Sequence, residues 1–308
     1  MKLLKNTIAL ALCSTFALPA IADGIDIYGK ANLSLQSSDK GEGSFSEIKS
    51  NASRLGFKGK YKLDNELEVV YKLEFEVGID GTEKNGQSIW ARSQYVGLKG
   101  GFGEILVGKN DTVLKQSQGK VDLFGDLNGD IKHLWKGENR VGNTVTYKTP
   151  KMNGFQLGAT YVAADSVEAD SAYSLAVFYG DKSLKKSKIF ASVATDSNLK
   201  GYDVTRATVQ GKVSKFVVGG MVQTQKNQST GDKMDGAMVS AAYKMGKTTL
   251  KGQYQMADFN GGDTKYGTSV GADYKLGKNT KLYGFYTNLN MDSQATQDYV
   301  AVGVEYKF

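Results

Sequence analysis

From Ser53 to Val77 the chain alternates apolar and polar residues through two runs that meet at Asp64-Asn65. Leu55, Phe57, Tyr61 and Leu63 share one face of the first run, and Leu67, Val69, Tyr71, Leu73, Phe75 and Val77 share one face of the second. Arg54, Lys58, Lys60, Lys62, Glu66, Glu68, Lys72, Glu74 and Glu76 fill the opposite face. Successive side chains of an extended strand point to opposite sides, so this period of two predicts a long antiparallel hairpin with one oily and one charged side.

The same reading carried along the chain predicts about sixteen strands, near residues 25–35, 53–63, 66–77, 89–98, 104–110, 141–148, 155–163, 172–180, 188–195, 202–212, 215–226, 236–245, 248–257, 266–276, 280–289 and 299–308. Helical periodicity is confined to the region near Thr112. Short turns at 64–65, 100–103, 150–154, 181–187, 213–214, 246–247 and 277–279 are expected to alternate with longer polar connections, with both chain ends on the short-turn side. That alternation predicts an up-and-down barrel. The connection from Asp111 to Asn139 is too long for a passive link, and it carries Asp122, Asp126, Asp130 and Glu138 together with the apolar anchors Leu123, Phe124 and Trp135.

Lys2 and Lys5, the apolar run from Thr7 to Leu18, and Ala20 and Ala22 predict a secretory signal over residues 1–22, cleaved after Ala22. The apolar run is too short to anchor the chain in a bilayer. Its removal takes away Cys13, the sole cysteine, and leaves Pro150 as the only proline, so an exported chain without disulfides is expected to rely on its own hydrogen bonding and packing. The formal charge falls from +7 to about +5 with both signs interspersed, which argues against a nucleic-acid partner. No later run approaches the ~20 apolar residues of a membrane helix. A closed transmembrane barrel escapes that test, because only half of each strand meets lipid. The last segment, Tyr299 to Phe308, places Val300, Val302, Val304, Tyr306 and Phe308 on one face, as expected of a strand that pairs with the first to close a barrel.

Five segments carry a resemblance to a known family. They are IDIYGKANLSL with Lys30, SRLGFKGKYKLDNELEVVYKLEFEV with Arg54, ARSQYVGLKGGFGEILVGKND with Arg92, NRVGNTVTYKTPKMNGFQLGATY with Arg140, and the terminal VGVEYKF. Across essentially all of residues 23–308 the chain resembles the general, non-specific porins of Gram-negative outer membranes. The resemblance implies an all-β, 16-stranded antiparallel transmembrane barrel whose third loop, about residues 111–139, folds inward. It implies a basic wall of Lys30, Arg54, Arg92 and Arg140 facing an acidic loop of Asp122, Asp126, Asp130 and Glu138 across a narrowed pore. It further implies a homotrimer in contact with outer-membrane lipid and lipopolysaccharide, passing small hydrophilic solutes and ions by passive diffusion, with no cofactor. The loop departs from the enterobacterial Pro-Glu-Phe-Gly-Gly motif, reading Asp-Leu-Phe-Gly-Asp from Asp122 to Asp126. Trp90 stands two residues before Arg92, where the family often has another polar or basic residue, and is expected to make that side either narrower or less cationic.

Arginine usage supports the basic wall independently. Only Arg54, Arg92, Arg140 and Arg206 are arginine among 39 basic residues, and all four sit at strand positions. Arginine is a rigid, permanently charged fork and lysine a flexible point charge, so sparing arginines for such positions suggests fixed cations inside the barrel; the plainer alternative is that rare arginines fall in strands because most of the chain is strand. The slight basic excess predicts a weak preference for anions. Two other classes compete. A barrel enzyme would need a positioned catalytic histidine, and His133, the only histidine, has no recognisable nucleophile beside it. A secreted soluble β-sandwich would explain strands and turns but neither their number nor the long loop. Asp126, Asn128 and Asp130 have the spacing of a calcium loop, but Gly137 stands where the twelfth-position Glu belongs, so no metal site is expected.

Overall fold

The computed structural model describes residues 25–164, 166, 170–291 and 295–308; the predicted leader, residues 1–22, lies outside the described residues. The chain begins with β1 (Ile25–Asp39), β2 (Ser44–Ser50), β3 (Arg54–Lys62), β4 (Glu68–Val77), β5 (Ile89–Gly100) and β6 (Gly103–Asp111). After the long connection come β7 (Arg140–Lys148), β8 (Phe155–Val162), β9 (Ala172–Gly180), β10 (Ile189–Leu199), β11 (Tyr202–Val213) and β12 (Phe216–Asn227). It ends with β13 (Lys233–Met245), β14 (Thr248–Phe259), β15 (Thr264–Lys275), β16 (Thr280–Asn290) and β17 (Gln297–Lys307).

Both β2 and β3 pair with β1, one above the other, so they form one interrupted stave and the seventeen strands make a barrel of sixteen staves. Staves adjacent in the chain pair antiparallel throughout. Closure comes from β17 returning to β1, in register from Lys30↔Lys307 to Asp39↔Asp298. Phe308 extends the seam, its N–H donating to Gly29 O at 3.2 Å and its carbonyl accepting from Gly29 N–H at 3.0 Å. Among the described residues each stave has a partner on both sides and the sheet has no free edge, the condition for crossing lipid with strands.

The alternation seen in sequence becomes two faces. Along β9, Tyr173, Leu175, Val177 and Tyr179 are exposed on the outer surface while Ala172, Ser174, Ala176 and Phe178 are buried inside. In the β3–β4 hairpin Leu55, Tyr61 and Leu73 are likewise exposed. The expected alternation of loop lengths is only partly present. At the end opposite the short turns, residues 78–88 and 112–139 form long connections, whereas 40–43, 228–232 and 260–263 are short. Residues 196–201 were expected to form a longer link; instead β10 runs to Leu199 and turns into β11 through Lys200 and Gly201 alone. Those two residues have φ of 55° and 78°, the left-handed pair that matches a two-residue hairpin to the twist of its strands. Strand β2 has no alternating apolar pattern in the sequence, because only Phe45 and Ile48 interrupt its polar residues.

The 112–139 connection lies inside the barrel. It opens with α1 (Val113–Ser117), capped by Thr112 Oγ1, which accepts from Lys115 N–H at 3.2 Å. Three apolar clusters then fix it to the inner wall: Val113 and Leu114 among Ala176, Phe178, Phe190 and Ala194; Val121, Ile131, Leu134 and Trp135 among Met221, Met234, Met238 and Ala257; and Phe124 and Leu127 among Tyr283, Phe285, Leu289 and Tyr299. Burying each large apolar side chain is worth about 1.5–3 kcal/mol, so the loop is held by a core of its own.

A packed loop must also satisfy its backbone. Glutamines of the wall do this. Gln210 Oε1 accepts from Lys120 N–H at 3.1 Å, Gln225 Oε1 from Lys136 N–H at 2.9 Å and Gln253 Oε1 from Leu123 N–H at 2.8 Å. Gln223 and Gln253 in turn donate to the carbonyls of Lys136 and Gly129.

Candidate functional site

The loop tip brings opposite charges together. Asp126 sits at a left-handed φ of 70°, its N–H donating to Asp130 Oδ2 at 2.9 Å. Its Oδ2 accepts from Lys30 Nζ at 3.0 Å and from Arg54 Nη2 at 2.7 Å. Lys30 and Arg54 are register partners on β1 and β3. The break in the second stave orients Arg54: Ala52, at a φ of 53°, turns its carbonyl to accept from Arg54 Nε at 3.1 Å. Asn51 within the break bonds to Ser34 and Tyr283. Burial alone would raise the Asp126 pKa, but Lys30 and Arg54 outweigh it and hold the carboxyl well below the usual carboxylate range.

A second network adjoins the first, since Glu76 is the register partner of Arg54. Arg92 Nε lies 2.9 Å from Glu74 Oε1, and its Nη1 donates to Glu76. Glu74 also accepts from Tyr28 Oη at 2.8 Å and pairs with Lys72 at 3.1 Å. A bulge explains how Arg92 gets there: between the Leu73↔Gln94 and Phe75↔Ala91 pairs, Glu74 faces both Arg92 and Ser93, so these consecutive residues are both buried. Trp90 is half-buried with Lys84 Nζ 4.1 Å from its ring. Glu74, Glu76 and Lys72 belong to the charged face of the opening hairpin, but which of them would meet Arg92 depends on the bulge, and Tyr28 gives no sequence signal.

The other predicted members go elsewhere. Arg140 Nε lies 2.8 Å from Asp111 Oδ1, at the start of the loop, and does not join the Lys30–Arg54 group. Glu138 pairs at 2.7 Å with Arg206, which is fully buried and is also held by Gln223 at 2.8 Å. Asp122 accepts from the N–H groups of Phe124 at 2.9 Å and Ile131 at 3.1 Å and so ties the loop to itself. Asp130 caps the 3-10 turn Ile131–His133 and pairs with Lys132 at 3.1 Å. The two sets expected to face one another across a gap thus meet directly, through Asp126 alone, while Asp122, Asp130 and Glu138 hold the loop's shape. Of the residues with calcium-like spacing, Asp126 meets Lys30 and Arg54, and Asp130 accepts from the Lys132 N–H. His133 is exposed beside Lys132.

A cavity of about 500 Å³ opens beside this cluster, lined by Tyr28, Lys30, Arg54, Asp126, Lys251 and Tyr283 among others. Lys251 and Lys281 share Asp273 at 3.0 and 2.9 Å. Lys120 and Lys136 on the loop are exposed and have no carboxylate within ion-pair distance among the described residues. The interior therefore combines fixed ion pairs with exposed cations on the loop.

The Gram-negative porin family matches residues 8–294 of the chain. The major outer membrane protein P.IB of Neisseria sicca is 31% identical over 187 residues, 55% of this chain and 50% of that protein. The chain thus spans about half the length of the first curated relatives it matches. Among solved structures, an anion-selective porin from Comamonas acidovorans superimposes with a TM-score of 0.76 at 21% identity, over 92% of this chain and 99% of that one. OmpT of Vibrio cholerae, in a trimer form, does so with a TM-score of 0.69 at 19% identity, over 93% and 100%. Together with the closed barrel of sixteen staves and the loop packed within it, the match across nearly all of its length means that this chain belongs to the Gram-negative porin family.

Proposed function

We propose that the chain forms a water-filled channel through the outer membrane, by which small hydrophilic solutes and ions pass down their gradients. The observation that carries this reading is the loop 112–139, anchored inside a closed barrel by three apolar clusters and docked by Asp126 on Lys30 and Arg54. A loop so held narrows the lumen without moving as solute passes. Water inside spares a polar solute the cost of entering hydrocarbon, several kcal/mol for each unpaired polar group. Rows of fixed charges of both signs order water and dipolar solutes, and an apolar molecule must disrupt that order to enter.

In this reading Lys30, Arg54 and Asp126 form the throat and Arg92 with Glu74 and Glu76 its adjoining wall. Two cations, Lys30 and Arg54, meet the single carboxylate of Asp126, so the throat favours anions. The anion selectivity of the Comamonas porin named above agrees with this preference. The trimer form of the Vibrio barrel supports a trimer here, with part of the apolar outer face meeting neighbouring subunits and the rest meeting lipid and lipopolysaccharide. Passage is passive and no chemical step is assigned to His133. Reconstitution into planar bilayers tests the reading: stepwise conductance with a reversal potential shifted toward anions is expected, and either a silent bilayer or clear cation preference would overturn it.

A further inference from the structure

We propose that the short-turn mouth of the barrel holds a binding site for small multivalent anions, of the chemical class of inorganic pyrophosphate; the proposal rests on the channel reading for its side-specific readout. Here a cavity of about 470 Å³ lies between the β13–β14 turn, the β15–β16 turn and the end of β17. Six lysines line it, Lys244, Lys247, Lys275, Lys278, Lys281 and Lys307, against two carboxylates, Asp273 and Glu305.

Both carboxylates are already engaged. Asp273 is shared by Lys251 at 3.0 Å and Lys281 at 2.9 Å, and Glu305 pairs with Lys307 at 2.9 Å. The remaining four, Lys244, Lys247, Lys275 and Lys278, are exposed and have no carboxylate within ion-pair distance among the described residues. Strand parity aims two of them inward. Lys244 lies four residues beyond Ser240, and Lys275 six beyond Ser269, and both serines are buried on the inner face. These cations therefore look into the water of the lumen and not toward the membrane.

Like charges gathered around one concavity repel each other, and a ligand carrying several negative charges relieves that repulsion at several contacts at once. A single unit charge in water is weakly attracted and strongly screened at physiological ionic strength, so chloride passes while a polyanion is retained. Lysine suits this task as a flexible point charge that adapts to a compact ligand without the flat geometry arginine requires. The site adjoins the throat, since both cavities are lined by Lys281, Glu305 and Lys307, but none of these four lysines lines the cavity around Asp126.

The test uses the whole barrel in planar bilayers, with Ser229→Cys in the opposite-end 228–232 loop reporting orientation through a charged, membrane-impermeant thiol reagent. Pyrophosphate is added to one side and then the other. From the short-turn side, half-block of chloride current is expected at a concentration at least tenfold lower than from the loop side. The Lys244→Gln/Lys247→Gln/Lys275→Gln/Lys278→Gln variant should raise that concentration about tenfold and abolish the sidedness. Equal block from both sides, or block unchanged in the variant, would overturn the site while leaving the channel intact. Titration calorimetry of pyrophosphate into the detergent-solubilised barrel reads the site without conductance, and wild-type heats that persist in the fourfold variant would also refute it. A silent bilayer overturns the channel reading instead, which calorimetry then separates from the fate of this site.

Discussion

Replacing Asp126 by asparagine keeps the size of the side chain and removes one charge from the point where loop and wall meet. Lys30 and Arg54, 3.0 and 2.7 Å away, then carry one more uncompensated positive charge than before. An ion passing about 6 Å from that charge in water feels about 0.7 kcal/mol, from Coulomb's law at a dielectric constant near 80. Screening over a Debye length of about 10 Å at 0.1 M salt reduces this to about 0.4 kcal/mol. At about 1.4 kcal/mol per factor of ten, anions are enriched about twofold and cations depleted about twofold, so the permeability ratio should move about fourfold toward anions. The assay is the reversal potential across a salt gradient, repeated at 1 M salt, where a Debye length of about 3 Å should erase most of the change. A reversal potential unaltered at low salt would refute the placement of Asp126 at the throat.

Three further outcomes follow from the packing and charge of the loop. Trp135→Ala deletes a buried anchor whose Nε1 donates to Met256 O at 2.8 Å, and should cost about 3–5 kcal/mol of loop docking, read as a lowered thermal midpoint and noisy conductance. Arg206→Met should cost about 3–5 kcal/mol by stranding Glu138, whereas adding Glu138→Leu should recover most of it, because removing both charges leaves no unpaired ion; denaturant unfolding of the single and double variants decides. The Asp122 carboxyl is pushed up to about 7, first by burial and then by the neighbouring Asp130. A carboxyl with a raised folded-state pKa contributes its stability fully below its unfolded value near 3.9 and loses it as pH rises toward 7. Wild-type thermal midpoints should therefore fall across about pH 4–7 more steeply than those of Asp122→Asn, and equal slopes would contradict that assignment.

Most staves were legible because each needs only period-two alternation, and the opening hairpin shows it with Leu55, Tyr61 and Leu73 outside and Arg54, Lys72 and Glu74 inside. The missed stave segment, β2, has only Phe45 and Ile48 among seven residues, on opposite faces of the strand, so it shows no period-two apolar run. Within the site, Lys30, Arg54 and Asp126 were nameable from motif and charge, but the roles of the remaining acids were not. Whether a carboxylate meets a lysine across the lumen or a backbone N–H of its own loop depends on turn geometry such as the left-handed Asp126. The wall's part in holding the loop did leave a trace. Gln223-x-Gln225 and Gln253-x-Gln255 repeat a long hydrogen-bonding side chain at inward parity, which a lumen filled only with water would not require. Arg206, although one of only four arginines, pairs with the loop's Glu138 and not with a solute path, so rarity of a residue type located a fixed cation without telling its purpose.

The central claim is that the closed barrel is an open, passive pore narrowed by the 112–139 loop. Permeation of neutral sugars of graded size into liposomes carrying the purified protein tests it most directly. The account predicts uptake that is linear in gradient, unsaturable, and cut off sharply with solute size, with the cut-off moving upward when Trp135→Ala loosens the loop. Liposomes that exclude even the smallest sugar, or a cut-off that Trp135→Ala leaves unchanged, would contradict it.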